Sequence, residues 1–189
     1  MKTILISYAV KEEFSPLHTE KLNIQYVLTG IGKARSAMKL TEAIIKYQPD
    51  VVINVGTAGT ITHQVGNIFT CLRFVDRDYQ QTKLPGIEYE IDHSELFKKD
   101  SSLDSWLRNH DRTGICSTGD TFVTEAASFQ EDVVDMEAYA QALVCKEFNT
   151  PFFSVKYVTD IIGQNSVKHW EDKLSDAQRA LTAWVEERI

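Results

Sequence analysis

The sequence predicts an α/β protein: three α/β/α layers around a central mixed, twisted sheet, with residues 1–189 forming one domain. Two observations predict it. Short β-branched and apolar runs alternate with segments whose apolar residues recur at helical spacing. The most apolar run, Val51-Val52-Ile53-Asn54-Val55, lacks polar alternation, as a strand covered on both faces requires.

Thr3 to Ser7 reads as a buried strand, and Ile24 to Thr29 as another that ends at Gly30-Ile31-Gly32. A helix follows, because Ala34, Ala37, Met38, Thr41, Ile44 and Ile45 share one face at a period of 3.6. Pro49 closes it, since proline cannot continue the backbone ladder. The strand Val51 to Val55 stops at Gly56-Thr57-Ala58-Gly59, and Ile68 to Val75 reads as a further strand. Charges dominate from Arg73 to Asp100, which predicts loops with short elements. Thr113 to Ser117 reads as a short strand, and 118–132 as irregular chain. Glu137 to Phe148 has the apolar positions of a helix, and Pro151 opens a strand through Val158. Ser175-Asp176-Ala177-Gln178 matches a capping box, so a last helix is expected to start there. Ala177, Leu181, Trp184 and Val185 are its buried stripe.

Composition narrows the function. A chain of 189 residues, 43% hydrophobic and 25% charged, builds a core without disulfide or metal staples. The 27 acids against 20 bases give a net charge of −7, which weighs against a grip on nucleic acid or an anionic membrane. An uncharged nucleoside stays open. No run approaches the ~18 apolar residues of a membrane span, and the N-terminus lacks a signal-peptide pattern. Cys71, Cys116 and Cys145 include no Cys-x-x-Cys pair and read as buried free thiols in a reducing, cytoplasmic setting. The histidines at 18, 63, 93, 110 and 169 have no metal-ligand spacing, so neither metal nor cofactor is expected.

Gly30-Ile31-Gly32-Lys33 invites a dinucleotide reading, but Arg35 stands where the third glycine belongs, and no acid ends the next strand. A tight turn opening a helix accounts for the glycines. Gly56-Thr57-Ala58-Gly59 lies at the carboxyl end of the central strand, where open α/β sheets bind ligands; alone it is either a turn or a site. Glu12-Glu13, Glu137 and Asp160 each follow a strand or a strand-like run. Singly they are solvated caps; gathered at one sheet edge they are an acid/base constellation.

Taken in order, these pieces resemble the purine nucleoside phosphorylase/nucleosidase superfamily, and within it the 5′-methylthioadenosine/S-adenosylhomocysteine nucleosidases. The resemblance is carried by Ala9-Val10-Lys11-Glu12-Glu13, Gly30-Ile31-Gly32-Lys33-Ala34, the run from Pro49 to Gly59 and Leu84-Pro85-Gly86. Ser117-Thr118-Gly119-Asp120-Thr121-Phe122-Val123, Val134-Asp135-Met136-Glu137-Ala138 and Val158-Thr159-Asp160 complete it. It implies hydrolysis of a purine nucleoside's N-glycosidic bond with release of adenine. Phe122 would stack on the purine, with Val123 beside it, and Asp160 would protonate its five-membered ring. Met136 and Glu137 would hold the ribose. Glu13, with Glu12 as fallback, would activate the water near Thr57, Ala58 and Gly59. Val10 and Trp170 would line the pocket for the 5′ substituent. The resemblance also implies a homodimer, for which the segment from Arg73 to Asp100 is either a subunit contact or a solvent loop.

The residue types suit that chemistry. Cleavage leaves negative charge on the base and positive charge on the sugar, so the acid must keep its proton while sugar-side carboxylates stay ionised. The superfamily's phosphorylases place an arginine where Asn54 stands, which favours water over phosphate as nucleophile. Two positions depart from the nucleosidases. Lys156 replaces a usual arginine and is a possible supporting residue, and Asp135, expected to face away from the site, replaces a glutamate. A phosphorylase, a futalosine hydrolase-like nucleosidase and a non-catalytic nucleoside-binding module are the competing readings.

Overall fold

The computed structural model describes residues 2–17, 22–82, 84–98, 107, 112–125, 130–164 and 166–189. His18 and His110, and residues 83, 99, 100 and 126–129 of the expected loops, lie outside them.

The elements run β1 (Thr3–Tyr8), β2 (Asn23–Leu28), α1 (Lys33–Tyr47), β3 (Val51–Thr60), β4 (Ile68–Asp76), α2 (Arg77–Thr82), β5 (Glu90–Asp92), α3 (Ser94–Lys98), β6 (Arg112–Thr118), β7 (Val133–Asp135), α4 (Ala138–Glu147), β8 (Phe152–Ile161) and α5 (Ser166–Arg188). β3 is the axis, and every residue in it is buried. It pairs in parallel with β1 over Val51–Asn54 and with β8 along its length. Past an irregularity at Ala58/Gly59 it also meets β7, antiparallel, at Gly59. β8 continues to β4, β4 to β6, and β6 to β7. The mixed sheet therefore curls back onto β3, with β1, β2 and β5 outside the curl. The strand ends that carry the motifs are thereby drawn around one opening.

Two cores flank the sheet. On one face Leu40, Ala43 and Ile44 of α1 and Ala138, Ala142 and Cys145 of α4 pack on Leu5, Val52 and Phe152. On the other, Ala177, Leu181, Trp184 and Val185 of α5 pack on Ile4, Ile53 and Phe153. Each fully buried Leu, Ile, Val or Phe removes apolar surface from water and contributes ~1.5–3 kcal/mol. Among the described residues no helix is long and apolar enough to cross a membrane.

Two expected boundaries are corrected. β3 does not stop at Val55: Gly56-Thr57-Ala58-Gly59 continue the strand to Thr60, paired with β8, rather than forming a turn. α5 begins at Ser166, not Ser175, so Ser175-Asp176-Ala177-Gln178 lies inside the helix and caps nothing. Asp176 instead pairs with Lys173 at 3.0 Å and Arg179 at 2.6 Å, one turn away on either side. The apolar stripe runs back through Leu174 and Trp170, an extension the capping-box match conceals.

Candidate active site

One cavity of about 400 Å³ opens where the carboxyl ends of β3 and β8 meet β7 and the start of α1. Glu13, Glu137 and Asp160, distant in sequence, all line it. So do Val10, Thr57, Ala58, Gly59, Phe122, Val123, Met136 and Trp170. Glu12 and Lys156 do not. Glu12 is exposed and borders a separate cleft with Lys11, Arg35 and Lys39.

Glu13 lies in the turn after β1 and is 4% exposed. Its Oε1 accepts bonds from the Thr57 amide at 3.0 Å and the Thr57 hydroxyl at 2.5 Å, and Oε2 accepts one from the Val10 amide at 3.3 Å. The Thr57 hydroxyl accepts in turn from the Trp170 indole at 2.9 Å. Gly56 lies directly before Thr57 and close to the carboxylate: a β-carbon there would sit 3.7 Å from Glu13 Oε1 and 3.4 Å from Lys156 Nζ, both ordinary contact distances.

Glu137 ends the β7 segment just before α4, and its Oε1 accepts from the Gly32 amide at 2.9 Å. Gly32 has φ +96° and Gly30 φ +78°, a backbone that only glycine adopts without strain. The glycine turn therefore aims an amide at the carboxylate. Burial first, then the neighbouring charge of Asp135, push Glu137 up to about 8.

Asp160 lies near the end of β8, opposite Gly59. Burial raises its pKa, opposed by bonds from the Thr159 and Ser166 hydroxyls. The direction suits an acid that must arrive protonated. Phe122 faces Trp170 edge-on, their centroids 6.3 Å apart at 67°. That leaves aromatic surface on the cavity wall beside Asp160.

Lys156 and Asp135 pair beneath the cavity. Asp135 borders the cavity, yet its carboxylate turns inward to Lys156 Nζ at 2.8 Å, the Thr118 hydroxyl and the Ala138 amide. Burial would favour the neutral acid, but the Lys156 ammonium holds Asp135 below the usual carboxylate range.

Sequence reasoning missed Arg77, which lines the cavity from the start of α2. Its guanidinium donates to the carbonyls of Ser117, Gly119, Thr121 and Asp135. It thus holds the segment carrying Phe122 and Val123 against β7. Asp120 adds a second tie, accepting from the Lys33 amide and donating its own amide to Asp78. Lys33 Nζ completes it, reaching Asp76 at 3.0 Å and Asp78 at 2.6 Å. The only available signal for Arg77 is an arginine directly after a strand.

Comparison with known proteins gives the family and the fold. The sequence profile described as "Phosphorylase superfamily" matches residues 6–187. A 5′-methylthioadenosine/S-adenosylhomocysteine nucleosidase of Anoxybacillus flavithermus is 31% identical, covering 82% of this chain and 75% of the relative. One from Bacillus licheniformis is 30% identical, covering 92% and 83%. The crystal structure of a Helicobacter pylori nucleosidase of the same description, with butyl-thio-DADMe-Immucillin-A, superposes with a TM-score of 0.82 at 19% identity, over 100% of this chain and 97% of that one. The H. pylori futalosine hydrolase superposes with a TM-score of 0.80 at 18% identity, over 98% and 96%. At those identities the two structures speak to fold alone.

Proposed function

The chain belongs to the phosphorylase superfamily, and from that footing we propose that it is a nucleosidase hydrolysing the N-glycosidic bond of 5′-methylthioadenosine or S-adenosylhomocysteine, with adenine released. The observation that carries the reading is the lining of the cavity. Four acids line it, and with Asp135 turned to Lys156 the other three, Glu13, Glu137 and Asp160, converge there; among the described lining residues the one cation, Arg77, has both terminal nitrogens on backbone carbonyls. A phosphate dianion needs available cationic or amide donors; a sugar gaining positive charge needs carboxylates. Asn54, where a phosphorylase has arginine, is buried and turned to Ser7, which supports water as nucleophile.

In this reading residues 1–189 act as one catalytic domain. The purine stacks on Phe122 beside Val123, and Asp160 gives its proton to the five-membered ring as the bond from sugar to base breaks and its electron pair leaves with the base. The sugar lies on Met136, with its hydroxyls on Glu137. Positive charge developing there stabilises the ionised form of Glu137, drawing its pKa down from the value in the protein alone. Glu13 orients a water beside Thr57 and takes its proton as oxygen bonds to the anomeric carbon. Val10 and Trp170 flank the 5′ substituent.

A homodimer completes the proposal. Met38 and Ile45, two turns apart on α1, are 52% and 63% exposed, and Ile31 in the turn before the helix and Leu28 at the end of β2 are 47% and 41% exposed. Such exposed apolar residues suit a helix-lined partner surface, and Ile31 also borders the cavity mouth. The three buried free thiols fit a cytoplasmic location.

The test is chromatography of reactions with methylthioadenosine, adenosylhomocysteine, inosine and adenosine, each with and without phosphate. Adenine is expected from the two thio-substituted nucleosides at a rate indifferent to phosphate. A requirement for phosphate, or no base release, overturns the reading.

A further inference from the structure

We propose that Trp170, beyond lining the cavity, is a positioning residue for Glu13 and acts through the Thr57 hydroxyl. The inference rests on the nucleosidase reading above. An indole N–H only donates, whereas a threonine hydroxyl has one proton to give and two lone pairs to accept with. Trp170 Nε1 lies 2.9 Å from Thr57 Oγ1, and Thr57 Oγ1 lies 2.5 Å from Glu13 Oε1. With the indole proton filling a lone pair, the hydroxyl proton has one direction left, toward the carboxylate. The chain Trp170 to Thr57 to Glu13 therefore has a fixed polarity, and each bond polarises the next.

Glu13 Oε1 is saturated by the Thr57 amide and hydroxyl, while among the described residues Oε2 has only the 3.3 Å bond from the Val10 amide. Oε2 is thus the oxygen left to take a water's proton, and the donors on Oε1 fix the plane in which it presents its lone pair. Without the indole, the Thr57 hydroxyl is free to rotate and the carboxylate loses its tether.

Trp170 is placed to do this by α5. Ser166, at that helix's first residue, bonds toward Asp160, and Trp170 follows one turn later. The same ring meets Phe122 edge-on. One helical turn thus contacts the acid, the aromatic wall and, through Thr57, the base. A phenylalanine at 170 preserves the apolar wall and the contact with Phe122 but donates nothing.

The experiment is a double-mutant cycle of Trp170→Phe and Thr57→Val, read as kcat and KM for methylthioadenosine. Trp170→Phe is expected to lower kcat roughly 3- to 10-fold, the size of one lost hydrogen bond, with KM changed less than about 2-fold. In the Thr57→Val background the same change is expected to do less than about 2-fold. Equal losses in both backgrounds, or a loss confined to KM, overturn the proposal and leave Trp170 a wall residue. The contact itself is read by NMR of ¹⁵N-labelled protein: the indole resonance absent in Trp170→Phe must move in Thr57→Val. An unmoved resonance overturns the proposal even where turnover is normal, whereas wild-type protein that releases no adenine sinks the nucleosidase reading beneath it.

Discussion

Lys156 Nζ lies 2.8 Å from Asp135 Oδ2, and both side chains are 1% exposed. The two positions at which the sequence departs from the pattern its resemblance implies are therefore partners in one buried contact, a cation facing an anion beneath the site. Burying a charge pair contributes little net stability, but stripping one partner leaves the other unpaired in low dielectric. Lys156→Met is expected to destabilise the protein by ~3–5 kcal/mol at neutral pH. Adding Asp135→Asn is expected to recover more than half of that. Urea titrations of wild type and the two variants check it, and a Lys156→Met protein within ~1 kcal/mol of wild type contradicts the pairing.

Asp160 carries the second prediction. Its burial favours the protonated form, and Asn keeps the shape and the hydrogen-bonding capacity without a transferable proton. Asp160→Asn is expected to bind an adenine nucleoside within a few-fold of wild type while kcat falls ~10²- to 10⁴-fold. Calorimetry and steady-state kinetics separate the two quantities. Near-normal kcat removes Asp160 from the acid's role.

Glu137 gives a prediction in pH. The unfolded chain ionises this carboxyl near 4.5, while burial and Asp135 keep it protonated up to about 8 in the fold. Between those values the folded state holds the extra proton, so Glu137's contribution to stability falls as pH rises and is flat below the window. Glu137→Gln has no proton to lose. Its Tm relative to wild type is expected to rise steadily from pH 5 to pH 8, and a pH-independent difference refutes the raised pKa.

How much of this was legible in the sequence depends on the range of each interaction. That β3 continues through Gly56-Thr57-Ala58-Gly59 to Thr60 could not be read locally, since its pairing with β8 there is long-range, but its first half could, because a nearly unbroken β-branched run carries its own signal. So could the turn at Gly30 and Gly32, although not that the Gly32 amide meets Glu137, 105 positions away. Arg77 was invisible for a physical reason. Its four carbonyl partners belong to the end of β6, the following segment and β7, and no side-chain pattern marks a backbone carbonyl. The start of α5 was misplaced because Ser175 fits a capping box, while the packing of Trp170 and Leu174 depends on tertiary neighbours.

Gly59 tests how closely the acid is held. A β-carbon there would lie 3.0 Å from Asp160 Oδ2, 3.3 Å from Val134 Cγ2 and 3.4 Å from Ile162 Cγ1. The nearest atom is the end of a short side chain whose Oδ1 is tied to the Thr159 hydroxyl at 2.9 Å. β7, behind Val134, is pinned through the Asp135 carbonyl by Arg77 and has little room to retreat. The Asp160 carboxyl therefore swings rather than the strand. Gly59→Ala is expected to destabilise the fold by only ~1–3 kcal/mol, the usual range for an overpacked methyl. Turnover is expected to fall at least about 10²-fold, since a displacement near 1 Å at a reacting group has that effect. Circular dichroism melts and kcat measured on the same preparation decide it. A variant that melts near wild type and turns over normally shows that Asp160 tolerates displacement, and that the proton is not delivered from the position seen beside Gly59.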